Sequence, residues 1–187
     1  GVINNYLELT NLYPNSELAF EALFRIGKIY FSKLDNLDEA QKYFERILRD
    51  ASLSRFAVES SEQLGRLFII KGDLPKAKES YQKVISNGRA SEENRNYANY
   101  QLARLSLFEG NLTDAKAKLG SVVANLKDNT ANDAIELSLL VNTASSDSSN
   151  LLKFANAEFL TEQKKFLQAA DEYRKIASDP NAFILHH

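Results

Sequence analysis

Apolar side chains recur in this chain at the three- and four-residue spacing that lines one face of an α-helix, and groups of them recur along a longer cycle. Ala40, Phe44 and Ile47 form one group, Ala77, Tyr81 and Val84 a second, and Ala115, Leu119 and Val122 a third; the alanines lie 37 and then 38 residues apart. A second marker precedes each group: Ile26-Gly27 with Tyr30, Leu64-Gly65 with Phe68, and Leu102-Ala103. Small residues held in register over such a period predict a repeated supersecondary unit. Each unit reads as two helices. The small residue at 27, 65 or 103 lets the first helix approach its partner closely, and the alanine does the same from the second helix. The larger side chains at 30, 68, 44, 81 and 119 fill the space between stacked units.

Turn chemistry supports the pairing. In Gly72-Asp73 and Gly110-Asn111 a helix-ending glycine is followed at once by a capping residue, and Asn36 followed by Glu39 is a variant of the capping box. Pro75 falls in the first turn of its helix, where a missing N–H costs little. Helix-pair repeats are therefore predicted at 16–50, 54–86 and 91–126, with the extra residues of each period at the hand-over points 51–54 and 86–92. Val2, Tyr6, Leu9 and Pro14 fit a second helix over 1–14 belonging to a preceding repeat. The step from Ala115 to Ala169 is 54 residues, longer than one period. It accommodates one extra helix at 131–142, a polar break over 143–149, and a final pair over 150–178 carrying Ala169, Tyr173 and Ile176. The total is about ten helices and no strands in one continuous stack. The odd helix is expected to re-aim that stack locally.

Composition narrows the function classes. Apolar residues are 44% and charged ones 26%, so the chain can fold. The 23 basic and 25 acidic side chains are interspersed, for a net charge of −2; a nucleic-acid binder needs a basic field or stripe, and none stands out. The longest apolar runs, Leu67 to Ile70 and Leu139 to Val141, are far too short to span a bilayer. No signal-peptide pattern is visible. Gly1 in place of Met reads as the start of a processed or excised piece, and the terminal His186 and His187 as the beginning of a purification tag.

The segments LGRLFIIKGDLPKAKESYQKV and LARLSLFEGNLTDAKAKLGSV resemble the tetratricopeptide repeat, whose pattern places a leucine and a small residue before an aromatic, then Gly, Ala, an aromatic and a closing Pro. The opening Trp and closing Pro of that pattern are missing from the central repeats, and each period is three or four residues longer than usual. The resemblance implies a right-handed α-solenoid of antiparallel helix pairs that works as a non-catalytic protein-binding scaffold. The style of Tyr13-Pro14-Asn15-Ser16 is similar to bacterial cell-envelope repeat proteins, among them periplasmic domains of the Tol–Pal system and of outer-membrane barrel assembly. That places periplasm or envelope slightly ahead of cytoplasm.

Raw material for catalysis is thin. There is no Cys, and His occurs only at the C-terminus, so thiol chemistry and His-based triads are not expected. Asp35-Asn36-Leu37-Asp38 lacks the spacing and glycine of a calcium loop and reads as helix capping. Gly27-Lys28 follows no glycine-rich turn and is no phosphate loop. Asn111-Leu112-Thr113 matches a glycosylation acceptor, which capping alone explains. No enzyme activity, metal or cofactor is expected.

In such a stack the first helices line the concave face. The residue after each small one is Lys28, Arg66 and Arg104, one cation per repeat in a column. Around it lie Phe24, Phe31, Glu62, Ile69, Tyr97, Tyr100 and Phe108, with Phe154 and Glu158 in the departing final pair. These residues predict a groove whose apolar side chains hold a protein or peptide while the cations read its acidic groups. The plainer alternative is a solvated helix face, with Glu62 and Arg66 satisfying each other as an i,i+4 pair. The Lys and Asn set by which some repeat proteins of this type grip a terminal carboxylate is not reproduced. Two other roles fit the same residues: self-assembly through exposed end helices into a homo-oligomer, and a regulatory or targeting domain of a larger protein. Neither nucleic-acid binding nor membrane insertion is expected.

Overall fold

The computed structural model describes residues 1–124, 130–180 and 182. The expected end of the third pair at 126 and the terminal histidines lie outside them. The described residues form ten α-helices and no strand: α1 Val2–Leu12, α2 Glu17–Ser32, α3 Leu37–Asp50, α4 Arg55–Lys71, α5 Leu74–Ser86, α6 Glu92–Phe108, α7 Leu112–Ala124, α8 Thr130–Thr143, α9 Ser148–Glu162 and α10 Phe166–Ala177. A short 3₁₀ turn, Ala144–Ser146, joins α8 to α9. They fall into two compact units, Gly1–Phe68 with Pro75–Ser91, and Ile69–Leu74 with the chain from Glu92 onward.

In the first unit the predicted buried faces are complete. Ala40, Phe44 and Ile47 on α3, and Ala77, Tyr81 and Val84 on α5, are all 0% exposed. Removing a side chain of this size from water contributes about 1.5–3 kcal/mol. The glycines of the repeat sit directly under the rings of their partner helices. A Cβ at Gly27 would lie 2.6 Å from Cε1 of Phe44, and one at Gly65 would lie 2.5 Å from Cζ of Tyr81. Small residues stand there because the aromatic ring of the second helix occupies the place of their side chain.

The short connections share one backbone device. Gly72 and Gly110 have φ of +79° and +77°, and Asp35 and Lys164, at the same point of the first and last pairs, have φ of 49° and 60°. In all four cases a left-handed residue lies in the turn between the helices, immediately before the residue that opens the second helix. Asn36 and Asn111 do so as caps, accepting the N–H of Glu39 and of Asp114 (3.1 Å each). Lys165, by contrast, supplies no side-chain cap to α10. Sequence alone marks the device where it is glycine and hides it at Asp35 and Lys164. Writing the Gly110-Asn111 solution into the last pair, as Lys164→Gly with Lys165→Asn, is expected to stabilise the protein by about 1–2 kcal/mol, from relief of the left-handed strain and a new cap. Chemical denaturation would show a raised midpoint; an unchanged or lowered one refutes the expectation.

The second unit surrounds Leu107, Leu119, Val141, Leu151 and Ile176, each no more than 3% exposed. The extra helix α8 packs on α7 and α6, burying Ala134 and Val141 and leaving Ile135 and Leu139 48% and 59% exposed. It does not separate the first helices of successive pairs, because α6 packs directly on α9. Phe108 stacks on Phe159 at 5.2 Å, and Arg104 pairs with Glu162 at 2.5 Å. The buried amide of Asn150 donates to Asp147 (3.0 Å) and Asp179 (2.8 Å) and accepts from Lys153 (2.9 Å), tying the start of α9 to the end of α10. Tyr173 donates to Glu158; burial, then that bond, pushes the phenol up to about 12.

Candidate partner-binding site

Between α1, α2 and α4 the first unit holds a cleft of about 490 Å³. Its position is set by hydrogen bonds at the helix starts. Ser16 accepts the N–H of Ala19 (3.1 Å) to begin α2. The buried hydroxyl of Ser54 accepts the N–H of Phe56 (3.2 Å) and donates to Glu17 (2.9 Å), anchoring the start of α4 to the start of α2. The apolar wall is Phe24, Ile29 and Phe56. The half-buried ring of Phe24 is held from two sides, by Phe44 at 5.8 Å and by Phe56 at 5.6 Å.

The polar wall is unevenly charged, with four cations and two carboxylates. Glu21 is already engaged: Arg25 donates to it twice (2.9 and 2.6 Å), and Arg55 approaches to 3.9 Å. The same carboxylate raises the pKa of Arg25. Lys28 and Lys33 line the cleft, are exposed, and form no ion pair among the described residues. Glu59 projects from α4 and Tyr6 from α1.

The structure separates the predicted site residues into several fates. Phe24 and Lys28 line the cleft. Arg66 lies over the ring of Phe31, 5.5 Å from its centre, an aromatic face that meets this cation. Glu62 is half-buried. Ile69 is 2% exposed and belongs to the packed interior, which corrects its place on a binding face. In the second unit Arg104 is engaged by its own neighbours. It bonds Glu162 and Gln101 (2.5 and 3.0 Å) and covers the ring of Phe108 at 5.3 Å, with 17% of its side chain exposed. Phe108 is likewise committed to Phe159. Tyr97 and Tyr100 are half-buried; Tyr100 packs on the core, and burial raises its phenol pKa while Arg104 opposes the rise. Of the departing final pair, Phe154 meets Tyr173 edge-on at 6.3 Å and Glu158 accepts the Tyr173 hydroxyl.

Sequence reasoning missed Tyr6, Arg25, Arg55 and Phe56. Glu21 and Arg25 carry an i,i+4 signal, but nothing in the pattern shows that α1 closes one side of a cleft. Among the described residues there is no group of three or more His, Asp or Glu that could hold a metal ion, and no helix is long and apolar enough to cross a membrane.

Helix pairs with left-handed turns, small residues under partner rings and a repeat of 37 to 38 residues define an all-α helical-repeat protein. Residues 21–54 and residues 58–87 each match the tetratricopeptide repeat. The chain is a tetratricopeptide repeat protein. Among curated proteins none matches it. Repeats of this family generally mediate protein–protein interaction and scaffolding.

Proposed function

We propose that this protein is a non-catalytic scaffold that binds a partner protein or peptide on its first helices, with the cleft between α1, α2 and α4 as the main contact. The observation that carries the reading is the cleft itself: a supported aromatic wall beside two lysines that form no ion pair among the described residues. The face that binds runs from Phe24 and Lys28 to Phe31 and Arg66, all within the first unit. Arg104 is left out of it, because its guanidinium is consumed inside the second unit.

The reading is tested by affinity purification of partners with the wild type and with Lys28→Glu plus Arg66→Glu. Partners retained by the wild type should be lost from the variant while its circular dichroism stays helical. Equal retention by a folded variant overturns the proposal. A self-assembly role is favoured by a different observation, the exposed apolar side chains of the end helices: Val2 and Leu12 on α1 at 61% and 69%, and Phe166 and Leu167 on α10 at 63% and 84%. Light scattering of the eluted protein separates the two readings, since assembly through these faces gives a mass above that of one chain. A regulatory or targeting role, and a place in the bacterial envelope, are finer readings that the flanking gene sequence tests.

A further inference from the structure

We propose that the cleft between α1, α2 and α4 receives a short acidic peptide segment bearing an aromatic or branched aliphatic side chain beside its carboxylates. This rests on the reading of the protein as a peptide-binding scaffold and adds the chemistry of what is bound.

The apolar part of the ligand follows from the wall it meets. Phe24 is partly exposed yet held by Phe44 and Phe56 at 5.8 and 5.6 Å, so a ligand side chain laid on it costs little reordering of the protein. Offset or tilted ring contacts and aliphatic contacts are both available on such a face. About 490 Å³ of space accommodates a few side chains and falls in the range of small ligand sites.

The charged part follows from which groups are already spent. Arg25 and Arg55 neutralise Glu21, so that carboxylate does not repel an incoming acid. Lys28 stands one helical turn beyond Phe24, and Lys33 follows at the end of α2; neither ammonium group forms an ion pair among the described residues. An ammonium on a flexible stem can follow a carboxylate over several positions, which suits a peptide better than a rigid planar group. Glu59 on α4 directs the carboxylates of the ligand towards the lysines on α2. A basic segment would meet four cations in the same space. A long polyanion is disfavoured as well, since the chain as a whole carries −2 and the cleft gathers only four cations.

The test uses fluorescein-labelled synthetic peptides and the intact protein. The probe is Gly-Glu-Glu-Phe-Glu-Glu-Gly, compared with versions carrying Gln or Lys for every Glu, or Ser for Phe, by fluorescence anisotropy at low and high salt. The expected result is binding of the Glu–Phe peptide alone, weakened by salt and weakened about tenfold or more by Lys28→Glu with Lys33→Glu. Arg89→Glu, an exposed cation outside the cleft, should leave it unchanged. The proposal is overturned if the Glu–Phe peptide does not bind, if the Gln or Ser peptide binds equally well, or if Arg89→Glu weakens binding as much as the lysine reversals. Should the Gln peptide match the Glu peptide while partner retention still depends on Lys28 and Arg66, the scaffold reading stands and the acidic chemistry falls.

Discussion

Gly65→Ala is expected to destabilise the protein by about 1–3 kcal/mol, and Tyr81→Leu in the same chain to recover much of that loss. The added Cβ would lie 2.5, 2.7 and 2.8 Å from three atoms of the Tyr81 ring, and Tyr81 is 0% exposed. In an unobstructed helix the same exchange would stabilise by roughly 1 kcal/mol, because alanine is the better helix former, so the sign of the effect reports the ring. The third pair shows the compensated solution: Ala103 and Leu119 occupy the corresponding places, both 0% exposed and in one cluster. Denaturation of the wild type, both single variants and the double variant closes a cycle. Tyr81→Leu alone should also lose stability, through the space the ring leaves. The double variant should be more stable than the sum of the two losses; simple additivity would show that the ring does not dictate the glycine.

Arg104→Glu is expected to cost about 2–3 kcal/mol of stability, the scale of hydrogen bonds to charged groups in a partly buried site, and to leave peptide binding in the first-unit cleft intact. The substitution sets two carboxylates against each other at 162 and 104 and removes the guanidinium from Gln101, which is 5% exposed. The swapped pair, Arg104→Glu with Glu162→Arg, should recover at least half of the loss. A variant as stable as the wild type that fails to retain partners would instead return Arg104 to the binding face. This experiment discriminates what position in a repeat cannot, since Lys28, Arg66 and Arg104 occupy one register and have three different surroundings.

The contrast among these cations shows how much of the molecule can be read in one dimension. The helices, their faces and their partners are local or periodic properties. Ala40, Phe44 and Ile47 announce a buried stripe by spacing alone, and the recurrence of small residues at 27, 65 and 103 announces close approach. Turn residues are legible where glycine supplies the positive φ, at 72 and 110, and illegible where Asp35 and Lys164 adopt it under the constraint of the helices on either side. The cleft is only half legible. Phe24 and Lys28 follow from the register, whereas Tyr6, Arg25, Arg55 and Phe56 join them because α1 and α4 flank α2 in space.

The sequence by itself determines that this protein is a series of helix pairs with small residues at its close contacts, because helical spacing and turn chemistry are short-range and repeat faithfully. Only the tertiary structure decides which exposed positions remain available. Ile69 lies in the interior, Arg104 is taken by Glu162 and Phe108, Arg66 rests on Phe31, and Lys28 and Lys33 stand beside an aromatic wall with no ion pair among the described residues. The physical reason is that a side chain's partners come from helices far away in sequence. Glu162 stands 58 residues from Arg104, a separation no local pattern encodes.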